Sequence, residues 1–189
     1  PAGTRCRLFT RLSPDNKETA SFFAQMGFKA DDQEELCRFS LPSWPGRTQA
    51  SCSYNSVSLR SPEEIEAFAA RLNQYRFTPL DAAYISQCMN TSHFLAVGFY
   101  RGTKPVCEAL FAGEGPVVSL ASLYVRNDYR RQGMAKAMIG CACDYFKPRG
   151  VTVMNTHVYT RNPAQIGLAR SARAQRVRVL ALLPGMYVQ

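Results

Sequence analysis

The chain has 189 residues, 46% of them hydrophobic and 20% charged, the balance of a folded globular protein rather than a disordered, collagen-like or coiled-coil one. Lys and Arg number 23 against 14 Asp and Glu, a formal net charge of +9. No stretch approaches the roughly 18–20 apolar residues that cross a bilayer, so no membrane partner is expected.

The seven cysteines are an odd number, scattered along a chain large enough to build its own core. That argues against a disulfide scaffold and for a reducing compartment, and a cytoplasmic location is expected. Charge is unevenly spread. Six acids (Asp15, Glu18, Asp31, Asp32, Glu34, Glu35) precede residue 38, and none follows Asp144, whereas Lys147, Arg149, Arg161, Arg170, Arg173, Arg176 and Arg178 do. Such a half attracts nucleic acid, an acidic surface or a phosphorylated ligand, or is simply a solvated basic face.

In chain order, residues 5–11 read as a strand, and Ser13, Pro14, Asp15 and Asn16 open a helix that stops at Gly27. Strand-like pieces follow near Phe28 and over 36–41. Residues 42–55 are Pro-, Gly- and Ser-rich and read as a linker. A strand is expected at 56–60. Ser61, Pro62 and Glu64 then form a capping box for a helix with Ile65, Phe68, Leu72 and Tyr75 on one face. A second helix starts around Thr78 and Asp81 and ends near Asn90. Residues 94–100 and 105–112 form a β-hairpin over a turn at Gly102, and 117–125 is the next strand. Residues 132–145 have helical spacing, 151–159 is a strand, and Asn162 and Pro163 start a last helix ending near Gln175. Closing strands are expected at 176–183 and 186–188. From residue 56 the order is β-α-α-β-β-β-α-β-α-β, a mixed α/β fold with an antiparallel start and one β-α-β crossover.

The chemistry concentrates where the 117–125 strand ends and a helix begins. Arg130 and Arg131 lie in a tight basic loop, and Gly133 and Ala135 keep side chains away from the first turn. Unpaired amides and the helix dipole make this an anion site, and the small residues let a phosphate reach the backbone. Arg130-x-x-Gly133-x-Ala135 after such a strand resembles the acetyl-CoA signature of the GNAT superfamily of N-acyltransferases, and the resemblance covers about residues 56–189. It implies a GNAT-like acyl-CoA N-acyltransferase fold using acetyl-CoA as cosubstrate. In that family the strand before the loop splays from its neighbour. Leu123, Tyr124 and Val125 would then lie along the pantetheine arm, Arg131, Gln132, Gly133, Met134, Ala135 and Lys136 would cradle the pyrophosphate beside Arg130, and Asn162 would open the following helix.

The family's later pattern, Asn, an aromatic seven residues on, then Gly-Phe, is matched in the N-terminal part by Asn16, Phe23, Gly27 and Phe28. In the C-terminal copy Asn162 is followed by Ala169 and by Arg173-Ala174. Residues 1–45 therefore resemble the last third of a second GNAT unit, joined by a linker at 46–55 to a GNAT domain at 56–189.

Transfer of an acetyl group to an amine needs a base, oxyanion donors and an acid for the leaving thiolate. The resemblance puts a Tyr acid at the place of Ala169, so Tyr159, Tyr187 or water is left to act. Glu108 and His157 are candidate bases. By strand alternation His157 shares a face with Asn155 and Tyr159, and imidazole is the side chain that ordinarily titrates near neutral pH. Cys141 and Cys143 face different directions on a helix, so no metal site is expected. The expected function is N-acetyl transfer from acetyl-CoA to a primary amine of a small molecule or peptide. A CoA-binding regulatory module and a basic nucleic-acid binder are the rival readings, nucleic acid being disfavoured as a partner because no recognition motif accompanies the charge. A homodimer is compatible with the sequence.

Overall fold

The computed structural model describes residues 6–44, 53–74, 76 and 79–188. Most of the expected linker, Tyr75 and Thr78 lie outside the described residues. The first part contains β1 (Cys6–Phe9), α1 (Lys17–Gln25) and β2 (Gln33–Ser40). The second contains β3 (Ser53–Ser56), α2 (Pro62–Asn73), α3 (Ala82–Met89), β4 (His93–Arg101), β5 (Lys104–Glu114) and β6 (Val117–Val125). It continues with α4 (Met134–Phe146), β7 (Val153–Tyr159), α5 (Pro163–Ser171), β8 (Gln175–Leu182) and β9 (Gly185–Val188). The result is a mixed α/β architecture around one mostly antiparallel sheet.

The helix starts follow local chemistry. Asn16, Ser61, Asp81 and Asn162 cap α1, α2, α3 and α5 with a side-chain oxygen on a first-turn amide. Pro62 and Pro163 stand at the first helical positions, where no hydrogen bond is lost. Two expectations shift. The strand expected at 56–60 lies at Ser53–Ser56, because after Val57 donates to the Ala96 carbonyl the chain leaves the sheet to meet the Ser61 cap. The last helix ends at Ser171 rather than near 175, because Arg173 turns left-handed at φ +52° and the chain re-enters the sheet at Gln175.

The seven-stranded sheet has the order β3-β4-β5-β6-β7-β2-β8, parallel only between β6 and β7. One face packs on α4: Phe99, Phe111, Met138, Ile139, Phe146 and Met154 form its core. The other packs on α2 and α3 through Phe68, Leu72, Ile85 and Leu110. Each such side chain contributes about 1.5–3 kcal/mol by leaving water.

β2 comes from the first 45 residues yet lies inside the sheet, antiparallel to β7 on one side and β8 on the other. The return arrangement is also present. β9, the last strand, pairs with β1, and Gly185 bridges Phe9 on one side and Lys29 on the other. The main sheet thus includes a strand from residues 33–40, and the last strand pairs with the first.

Candidate functional site

β6 and β7 are paired only over residues 117–120 and 153–156. β6 continues to Val125 and β7 to Tyr159, so the two strands part and leave a wedge-shaped gap in the sheet. A bulge between β5 and β6 marks the place: Phe111 faces Leu120 and Leu110 faces Ser122, leaving Ala121 as the extra residue. The carbonyl of Ala121 accepts from Arg76 at 3.0 Å. Beyond the bulge Tyr124 joins the α2–α3 face, while Leu123 and Val125 pack toward α4.

At the open end of β6 the chain makes a short 3-10 turn at Asn127–Tyr129, which the sequence did not announce, and then enters α4. The loop is braced from within. Arg130 Nε donates to the Val125 carbonyl, Gln132 donates to the Asp128 carbonyl, and Arg126 lies over the Tyr129 ring. Gly133, at φ +80°, is the cap of α4 and has no side chain to offer the first-turn amides. Arg131 beside it is also left-handed, at φ +60°. The amides of Met134, Ala135 and Lys136 therefore open outward, with the positive end of the helix dipole behind them. Asn162 stands at the open end of β7. Its side-chain oxygen accepts from the amides of Ala164 and Gln165, so it acts as the α5 cap.

On β7, Met154 belongs to the α4 core, so by alternation Asn155, His157 and Tyr159 take the opposite face, toward α2 and α3. His157 is the most exposed residue of that strand, its side chain 49% accessible. Glu34, on β2 opposite Tyr159, is 5% exposed and lies with Oε1 2.6 Å from His157 Nδ1. Its other oxygen accepts from Arg11 Nε and Nη2 at 3.1 and 3.0 Å. Burial first, and the nearby Glu34 carboxylate second, push the Tyr159 phenol above its ordinary value, keeping it protonated through neutral pH. Tyr187 is 57% exposed and its hydroxyl accepts from Arg161.

Glu108 is on the same sheet face, opposite Tyr124, but fully buried. Arg71 of α2 donates to its two oxygens from Nε at 2.6 Å and Nη2 at 2.9 Å. Tyr100 donates to it more weakly, at 3.4 Å. The structure therefore brings His157 and Tyr159 together beside the gap and holds Glu108 in an ion pair two strands away. Sequence reasoning missed Glu34 and Arg71. Both partners are distant in sequence, and only the alternation of the acidic β2 segment hinted at a polar inward face.

Two further residues from the first part of the chain shape the rim. Asp32 accepts from the Thr160 hydroxyl and the Arg161 amide, and Asp31 accepts from Arg161 and Arg7. The turn leaving β7 is thus tied to the first part of the chain. Among the described residues no cluster of three His, Cys, Asp or Glu could hold a metal ion, and no helix is long and apolar enough to cross a membrane.

A family model described as the acetyltransferase (GNAT) family matches residues 52–172. Solved structures with the same fold include a GCN5-related N-acetyltransferase from Sphaerobacter thermophilus, with a TM-score of 0.66 at 15% identity over 99% of this chain and 61% of that one. The ribosomal-protein-S18-alanine N-acetyltransferase from Escherichia coli aligns with a TM-score of 0.57 at 17% identity, over 72% of this chain and 94% of that one. A GCN5-related N-acetyltransferase from Kribbella flavida gives 0.54 at 19% identity, over 96% and 67%. This chain thus spans 61% of the length of the Sphaerobacter protein. Comparison with curated proteins gives no match.

Proposed function

The chain belongs to the GNAT acetyltransferase family, and we propose that it transfers an acetyl group from acetyl-CoA to a primary amine of a small molecule or peptide. The observation that carries the reading is the gap between β6 and β7, which opens toward the N-terminus of α4. The residues present fit the cosubstrate: the amides of residues 133–136 and the guanidinium groups of Arg130 and Arg131 suit a pyrophosphate. The stretch Leu123, Tyr124 and Val125, where β6 no longer pairs with β7, suits an amide-bearing arm. Asn162 contributes by fixing the start of α5 at the other rim. Bound acetyl-CoA supplies an activated thioester carbonyl.

On the protein's side, His157 takes a proton from the substrate ammonium, freeing the lone pair that forms the new C–N bond. Tyr159, protonated, gives a proton to the sulfur as the C–S bond breaks. Ala169 offers no phenol, and Tyr159 stands two residues from His157 on the same face of β7, whereas Tyr187 is exposed on β9. Glu108 neutralises Arg71 and holds α2 on the sheet instead of serving as the base. Among the described residues, the thiols of Cys37, Cys88, Cys141 and Cys143 are outside any disulfide, which suits a reducing compartment such as the cytoplasm.

Calorimetric titration with acetyl-CoA tests the reading, beside the folded double variant Arg130→Ala/Gly133→Asp. Binding by the parent and its loss in the variant are expected, followed by CoA release when amines are added. A folded parent that neither binds acetyl-CoA nor releases CoA overturns it.

A further inference from the structure

Glu34 is an unusual residue to find inside a sheet. A carboxylate taken from water into the pairing of β2 and β7 is strongly disfavoured unless both oxygens are satisfied. Arg11 satisfies one, and its own side chain is 56% exposed, so that pair alone contributes little. The second oxygen lies 2.6 Å from His157 Nδ1. A carboxylate only accepts, so the neutral imidazole must carry its proton on Nδ1. Nε2 then keeps its lone pair, on a ring that is half-exposed at the edge of the gap. Leu36, opposite His157 in the register, occupies the neighbouring position on the same face of β2. Arg38 donates to Asn155 and leaves the imidazole to Glu34.

We infer that Glu34 is a positioning residue for His157: it selects the tautomer and orientation in which Nε2 accepts the amine's proton. The first part of the chain therefore completes the active site of the second. A base oriented by a third group through its far nitrogen is the general logic of activated catalytic histidines. This inference rests on the acetyl-transfer reading with His157 as base.

The test compares the parent with Glu34→Leu, Glu34→Gln and His157→Gln. CoA release is followed with acetyl-CoA and a panel of glycine, spermidine, glucosamine and an alanyl peptide. Nitrogen-15 spectra of the imidazoles are recorded alongside. The sequence holds 2 histidines, so one replacement of His93 assigns both rings. Leu fills the buried site without a polar atom, and Arg11 can turn to water, so folding is retained. The expected result is an Nδ1-protonated His157 in the parent and a shift toward the Nε2-protonated form in Glu34→Leu. The kcat of that variant falls by about 10²-fold, the size of a lost base contribution, with the KM for acetyl-CoA unchanged. Glu34→Gln, whose amide oxygen still accepts, recovers part of the rate. Parental kcat in Glu34→Leu overturns the inference, as does a fall in kcat with no change of tautomer. A parent that fails to bind acetyl-CoA and releases no CoA overturns the acetyl-transfer reading itself, a different observable.

Discussion

Arg71 and Glu108 set the terms at the scale of single residues. Glu108 is fully buried and its partner lies at the edge of α2, so removing Arg71 strands a charge in the core. Arg71→Leu is expected to lose about 3 kcal/mol in urea denaturation, and Arg71→Leu/Glu108→Leu to regain most of it. A double variant as unstable as the single one would contradict this. From sequence Glu108 was legible only as a candidate base on a strand, and nothing local revealed that Arg71, 37 residues away, neutralises it. His157 was legible on the same grounds, by alternation with Asn155 and Tyr159. Its partner Glu34 was not, because the contact spans 123 residues. The turn from β6 into α4 was the most legible feature, since Gly133 and Ala135 adjoin a strand end and a helix start in the chain itself.

Among elements, α1 and α5 end by the same device with different residues. In α1, Gly27 turns left-handed at φ +86°, its amide bonds to the Ala24 carbonyl, and Phe28 closes onto Phe23. In α5, Arg173 takes that place at φ +52°, its amide bonds to Arg170, and Ala174 closes onto Ala169. A side chain in the left-handed region is disfavoured by about 1–2 kcal/mol relative to glycine. Arg173→Gly is therefore expected to raise stability by about 1 kcal/mol in urea denaturation, and an unchanged or lowered midpoint would refute the strain. The equivalence was half visible in the sequence, as an Asn followed by a spaced pattern that the second copy keeps only at its cap. Helix starts were legible because caps are local. The order of strands was not, because β2 finds β7 and β8 through pairings that no nearby residue encodes.

For the whole molecule, burial leaves a common mark on the weak acids. It pushes the Cys143 thiol from an ordinary 9.0 up to about 12, and it raises Cys37, Cys88, Cys141, Tyr84, Tyr100 and Tyr159 as well. All are neutral when protonated, so the folded state holds its protons to higher pH than the unfolded chain. Their contribution is complete below the unfolded values and is lost as pH rises past about 9. Thermal melts from pH 8 to 11 should show a steadily falling Tm, and a flat profile would contradict it. The strand exchange makes a second prediction at this scale. Cys6 faces Val188 across β1 and β9, so a short linker can join these positions. A circular permutant opened between residues 44 and 53 should fold and keep the β2 pairings, and an insoluble or unfolded permutant would count against the topology.

The exchanged strand also has a history during synthesis. β2 is made before either neighbour, and neither exists until β7 and then β8 have emerged from the ribosome. Val153 is added 113 residues after Ser40, or roughly 6–23 s of translation at about 5–20 residues per second. Through that interval Cys37 and Phe39 wait without the sheet that will bury them. The nascent chain therefore carries a sticky, half-written strand whose safety depends on the pace of elongation and on whatever chaperone holds it meanwhile.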